Sequence, residues 1–172
     1  MTEVTMDTPT QDDIEFLALN MRQADIAEIK AATGHEPYEE ICIGLDLSEE
    51  CQAIYFDGIP GCIWGVVPGG KEEVIGPTFG CAWLLTTTVI DRFPKAFWQV
   101  CIAILSDLLD RWDFLINWMD ARHEKALRWG ARLGFEFGPP EIFGVAGLEF
   151  RSFKISKRSF INKRRSQRLC VQ

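Results

Sequence analysis

Only two histidines, His35 and His123, are available for acid–base or metal chemistry. His123 opens the helical stretch 123-HEKALRWGARLGF-135 and His35 lies in a loop, so no Ser-His-Asp or Cys-His arrangement can be argued from them. His123 is expected to cap its helix or to bond a neighbouring strand end. Glu72 and Glu73 carry the chemistry of general bases, but loop glutamates of this kind are usually just solvated. The turn 67-VPGGK-71 has the composition of a phosphate cradle and reads first as a link between strands. Six cysteines (Cys42, Cys51, Cys62, Cys81, Cys101, Cys170) form no C-x-x-C pair. Four lie in apolar runs, where a free thiol behaves as a small hydrophobe. With two histidines, a histidine-rich metal site has too few ligands, so no metal is expected.

Those residues must be positioned by a chain of 172 residues, enough for one domain with a sizeable core. Apolar residues make up 47% of it, and no run reaches the roughly 18 residues that a membrane-spanning helix needs. The start, MTEVTMDTPTQDD, is acidic and polar, unlike a signal peptide. A soluble protein without a membrane partner is the expectation. Charge is unevenly spread. Residues 1–150 carry 10 Lys/Arg and all 25 Asp/Glu, whereas residues 151–172 carry 8 Lys/Arg and no acid. A basic tail of this kind suits nucleic acid, an acidic protein surface or the acidic body of a neighbouring copy.

The periodicity predicts a first helix over 10–34, opened by a Thr10/Asp13 capping box with Ile14, Leu17, Met21 and Ala24 inward. A second helix is predicted at 37–48, with Pro37 in its first turn and Tyr38, Ile41, Cys42 and Leu45 inward. The run 51–70 reads as a hairpin turning at Asp57-Gly58, and 80-GCAWLLTTT-88 as a buried strand. A long helix follows over 95–112, then a strand over 114–120, the helix at His123 and a late strand over 146–155. This order implies an α/β (α+β) fold, a central mixed sheet with helices on both faces. The six tryptophans fall in strands or on helix faces, as core packing requires. The expected division is an acidic lead (1–11), one domain (12–155) and a basic tail (156–172), the tail ordering only against a partner.

This order, with a helix ending in Leu133-Gly134-Phe135, resembles the GNAT acyltransferase fold; Lys125, Ala126, Leu127, Leu133, Gly134 and Phe135 match that family's helix pattern. The resemblance implies acetyl-CoA as cofactor and amine acylation as activity, but the functional positions depart from it. The family's helix asparagine is His123, and the tyrosine that often protonates the departing thiolate falls on Gly130, so no catalytic residue is assigned. The family's glycine-rich pyrophosphate turn is replaced by 86-TTTVIDRFPKAF-97, which has no glycine, an acidic Asp91, and Pro94 without an N–H. If acetyl-CoA binds, Thr86, Thr87 and Thr88 with Arg92 and Lys95 must replace that turn.

A second resemblance is more specific. The segments 81-CAWLLT-86, 119-MDAR-122 with 126-ALRW-129, and 143-FGVAGL-148 with 150-FRSF-153 look together like a small family of GNAT-like internal virion or assembly proteins of short-tailed DNA bacteriophages. It implies a non-catalytic or degenerate GNAT protein in the virion or host cytoplasm, contacting other virion proteins. The tail after Ile155 lies outside that pattern; its charge alone points to Lys154, Lys157, Arg158, Lys163, Arg164, Arg165 and Arg168 as residues to grip an acidic partner or packaged DNA, without base reading. The alternative is an acyl-CoA-dependent N-acetyltransferase with an atypical pyrophosphate loop, in which proximity replaces the missing acid.

Overall fold

A computed structural model describes residues 2–69 and 78–169, with side chains to Gln167. Gly70, Lys71, Glu72, Glu73 and Cys170, and the side chain of Arg168, lie outside the described residues. Among the described residues seven strands form one sheet: β1 (Val4–Asp7), β2 (Glu50–Phe56), β3 (Ile59–Pro68), β4 (Phe79–Thr86), β5 (Phe114–Asp120), β6 (Glu136–Phe143) and β7 (Leu148–Ser156). Their order across the sheet is β1-β2-β3-β4-β5-β7-β6. Every pairing is antiparallel except β4 with β5. The expected mixed sheet is therefore present, and the Asp57-Gly58 hairpin turns with both residues at positive φ, the I′ geometry that matches strand twist.

Six helices cover the two faces: α1 (Gln11–Asn20), α2 (Gln23–Ala32), α3 (Pro37–Leu47), α4 (Pro94–Arg111), α5 (Glu124–Leu133) and α6 (Lys157–Leu169). Strand alternation sorts the core into two. Ala53 and Ile63 face one side and pack with Ile14, Leu17, Met21, Ile29 and Ile41 of the α1–α3 layer. Their neighbours Ile54, Cys62 and Trp64 face the other side and pack with Phe97, Leu105 and Leu108 of α4, Leu133 of α5 and Phe160 of α6.

Several expectations need correcting. The single helix expected over 10–34 is two helices. Met21 and Arg22 are extended, because Met21 bridges Thr87 and the Arg22 N–H donates to the Thr86 carbonyl at 3.2 Å. Beyond the break Asp25 and Ile29 are buried and Ala24 is exposed. Tyr38 is partly exposed, its hydroxyl taking a hydrogen bond from Gln11. The acidic lead contains an edge strand, β1. The edge strand β6 carries Pro139-Pro140 at a register shift, where missing N–H donors cost no ladder bond. The capping box is formed, with Asp13 also accepting the Tyr55 hydroxyl.

The basic segment folds back as α6 rather than standing apart. Phe160 is buried in the α4–α5 core. Arg164 lies over Trp98, 5.0 Å from the ring centroid, while Arg132 of α5 lies 5.3 Å from the same ring. Lys157 pairs with Asp110 at 2.6 Å. The seat for this helix is the Leu-Gly-Phe joint. Gly134 sits at φ 109°, and a Cβ there would lie 3.2 Å from the Ser159 carbonyl and 3.3 Å from the Phe160 Cα. Replacing Gly134 with Ala therefore strains the backbone and lifts α6; chemical denaturation should show a loss of about 1–3 kcal/mol.

Candidate functional site

β4 and β5 pair through only Phe79↔Phe114, Gly80↔Leu115 and Cys81↔Ile116, and then part. At the point of parting, Asn117 Nδ2 donates to the Ala82 carbonyl at 2.9 Å, a side chain standing in for the next rung. A cavity of about 1100 Å³ opens in the wedge and runs beneath α4 and α5. Its lining is largely apolar and includes Trp64, Trp83, Phe97, Trp98 and Trp129. The indole N–H groups of Trp64 and Trp129 are buried there with no partner among the described residues. Lys95, Lys125, Arg128 and Arg132 also line the cavity; the last three fall on one stripe of α5.

The C-terminal ends of β4 and β5 are tied together by acids from α2. Asp25 Oδ2 accepts the Thr86 N–H at 3.2 Å and its hydroxyl at 2.7 Å. Glu28 accepts the Asp120 N–H at 3.0 Å. His123 stands between these acids, Nδ1 3.5 Å from Glu28 and Nε2 3.9 Å from Asp25. It makes no side-chain cap to its helix, so its expected role as a cap is replaced by this bridge to α2. Glu28, and then Asp25, raise the His123 pKa against the opposing effect of burial. Burial raises Asp25 above the usual carboxylate range, against the Thr86 hydrogen bonds. Burial also pushes Asp120 upward, but its bonds to Arg122 outweigh this and hold it low.

The corner that would replace a pyrophosphate turn is a short 3₁₀ turn, Thr88–Arg92, leading into α4. Thr86 spends its hydroxyl on Asp25. Thr87 is fully buried, its Oγ1 3.1 and 3.2 Å from the Gly61 and Pro60 carbonyls while accepting the Val89 N–H. Thr88, Arg92 and Lys95 are exposed at the same corner, with Arg92 over the Phe93 ring. Asp91 pairs with Arg22 of the α1–α2 break and, at 3.0 Å, with Lys125 of α5. Burial acts to raise its pKa, and these two cations pull it below the usual range. Pro94 has no N–H, and the amides of Val89, Phe93 and Phe97 are already bonded.

For coenzyme A, wedge and corner give opposite answers. The wedge fits an apolar, carbonyl-bearing arm, with Trp64 and Trp129 as unpaired donors. The corner fits a pyrophosphate poorly, because Asp91 stands at the mouth of α4, Pro94 supplies no N–H and no glycine allows close backbone approach, which leaves the Lys95 and Ala96 amides as the helix's free donors. Gly130 is also accounted for by packing: a Cβ there would lie 2.9 Å from the Phe137 ring. Among the six tail cations whose side chains are described, some are engaged on the body and others are free. Lys154 covers the Phe114 ring, Lys157 and Arg164 are engaged on the body, Lys163 is half-buried, and Arg158 and Arg165 are exposed. Cys42, Cys51, Cys62, Cys81 and Cys101 are free, and burial raises the Cys62 and Cys101 thiols. Among the described residues no His/Cys/Asp/Glu group could hold a metal.

No family model matches the chain, and no curated protein matches it. Solved structures do. An uncharacterized protein from Bacillus halodurans superposes at TM-score 0.70 and 14% identity, covering 94% of this chain and 88% of that one. An aminoglycoside acetyltransferase in complex with coenzyme A gives 0.67 and 15%, over 94% and 99%. An acetyltransferase of the GNAT family from Streptococcus pneumoniae gives 0.55 and 10%, over 90% and 99%. The chain has the GNAT fold. At these identities the likeness concerns architecture, and activity has to be argued from the site. No helix among the described residues is long and apolar enough to cross a membrane.

His123 and Asp25 give a signed pH test. Both are raised in the folded state, so the folded protein binds more protons than the unfolded one and stability falls as pH rises. The His123 contribution is complete below its unfolded value of about 6.5 and is lost as pH climbs through the raised folded value. Thermal unfolding from pH 5.5 to 8.5 should show a decline for the wild type that is shallower in His123→Gln.

Proposed function

We propose that this GNAT-fold protein no longer transfers acyl groups and works through contact with other macromolecules, as the resemblance to bacteriophage virion and assembly proteins implies. The observation that carries this reading is Asp91. Its carboxylate, held by Arg22 and Lys125, takes up the cations that an anionic ligand would use at the mouth of α4. An incoming pyrophosphate would have to displace it, against like-charge repulsion and without glycine amides to approach. The loss of the tyrosine position to Gly130 removes a general acid as well. The fold then serves as a scaffold, located in the virion or the host cytoplasm, and its partners are other virion proteins or, through the basic helix, DNA bound without regard to sequence.

A second reading is favoured by a different observation, the open wedge. A largely apolar cavity of about 1100 Å³ with Lys95, Lys125, Arg128 and Arg132 on its lining suits an anionic ligand with an apolar arm. The matched aminoglycoside acetyltransferase is in complex with coenzyme A. In this reading the chain is an acyl-CoA-dependent N-acyltransferase, with Thr88, Arg92 and Lys95 on the phosphate side. Thermal unfolding with and without about 1 mM acetyl-CoA separates the two. The contact reading expects no shift. A micromolar ligand would stabilise by about 3–4 kcal/mol at that concentration and raise the midpoint by several degrees, overturning it.

A further inference from the structure

The sheet separates charge as cleanly as it separates the two cores. On one face, α1, α2 and α3 carry eight Asp/Glu against one Lys. On the other, α4, α5 and α6 carry eleven Lys/Arg against three Asp/Glu. Counted along the helices alone, the two layers carry −7 and +8, part of the positive charge being met by Glu50 at Arg111 and Asp91 at Lys125. A chain whose overall charge is −7 hides a basic face. Each layer also exposes apolar side chains. Leu19 and Leu47 are 85% and 59% exposed on the acidic side, and Ile161 is 37% exposed on α6 between Arg158 and Arg165.

We propose that copies of this chain associate head to tail, the α4–α6 layer of one seated on the α1–α3 layer of the next. Opposed layers of nearly equal charge neutralise one another, and the exposed leucines and Ile161 supply the apolar contact that charge alone lacks. Nucleic acid would satisfy only the basic layer, would meet a chain of the same overall sign at long range, and would leave the acidic layer unexplained. The contact pairs two different surfaces, so it is heterologous and grows as a ring or an open filament rather than stopping at a dimer. The proposal rests on the contact reading for its macromolecular partner and not on the state of the cavity.

Sedimentation velocity on the full chain tests it. At about 50 mM salt the mean mass should exceed the monomer and rise with protein concentration; at about 500 mM, where screening shortens the reach of charge to a few ångströms, it should return to the monomer. Arg158→Glu/Arg165→Glu and Glu15→Lys/Asp46→Lys alter exposed positions of α6 and of α1 and α3. Each variant alone should associate at least about tenfold more weakly, a loss of about 1.4 kcal/mol. An equimolar mixture of the two should associate again, because each then meets its opposite. Unfolding midpoints close to wild type keep the comparison about surfaces. A wild type that remains monomeric at low salt, or a mixture that fails to recover, overturns the proposal. So does a monomer that retards a DNA duplex, which would assign the basic layer to nucleic acid. A monomer that ignores acetyl-CoA would sink self-association and leave the contact reading standing.

Discussion

The early parting of β4 and β5 is the constraint on which the rest of the structure depends. A sheet that opens at its centre exposes backbone donors and acceptors that must find partners. Here they are met from the side chains around the opening. Asn117 takes the Ala82 carbonyl, Asp25 takes the Thr86 amide and hydroxyl, and Glu28 takes the Asp120 amide. The break between α1 and α2 exists to serve the same edge, since an unbroken helix could not bring Met21 against Thr87 or the Arg22 amide to the Thr86 carbonyl. His123 then balances the acids that this arrangement buries. The cluster is first a way of sealing an open sheet, and its chemistry follows from that duty.

Much of the architecture was legible in the sequence because its signals were local. Asp57-Gly58 dictates its turn, Thr10 and Asp13 cap their helix, and the spacing of Phe97, Cys101 and Leu108 sets the buried face of α4. What escaped notice was non-local. Nothing in the run 10–34 announces a break, because Met21 and Arg22 are ordinary helix formers overridden by a pairing with residues 86 and 87. β1 is short and polar and is a strand only because β2 offers it an edge. β6 hides behind two prolines that an edge tolerates.

The site was legible in part. The corner at 86–97 was marked by its missing glycines, and its acidic residue proved to be the one that ties three elements together. Asp25 and Glu28 fall close to the Ile14–Met21 face of a continuous helix, yet nothing local shows which backbone amides two inward acids would meet. Their partner His123 was visible as a rare residue at a helix start, with no sign of which acids it would meet. Composition makes the tail order only against a partner, and the partner is its own body: Phe160 and the stem of Arg164, an aromatic and a long cationic side chain one turn apart, suit an aromatic surface such as Trp98.

The docking of α6 also sets an order of events during synthesis. Phe160 completes the core beneath α4 and α5, yet it follows every strand of the sheet in the chain. The acidic layer and its own core can close while the rest is still emerging from the ribosome. The opposite layer stays short of a side chain until the final helix is released. A nascent chain therefore presents its acidic face early and its basic face last, so the two surfaces mature at different times on the same molecule.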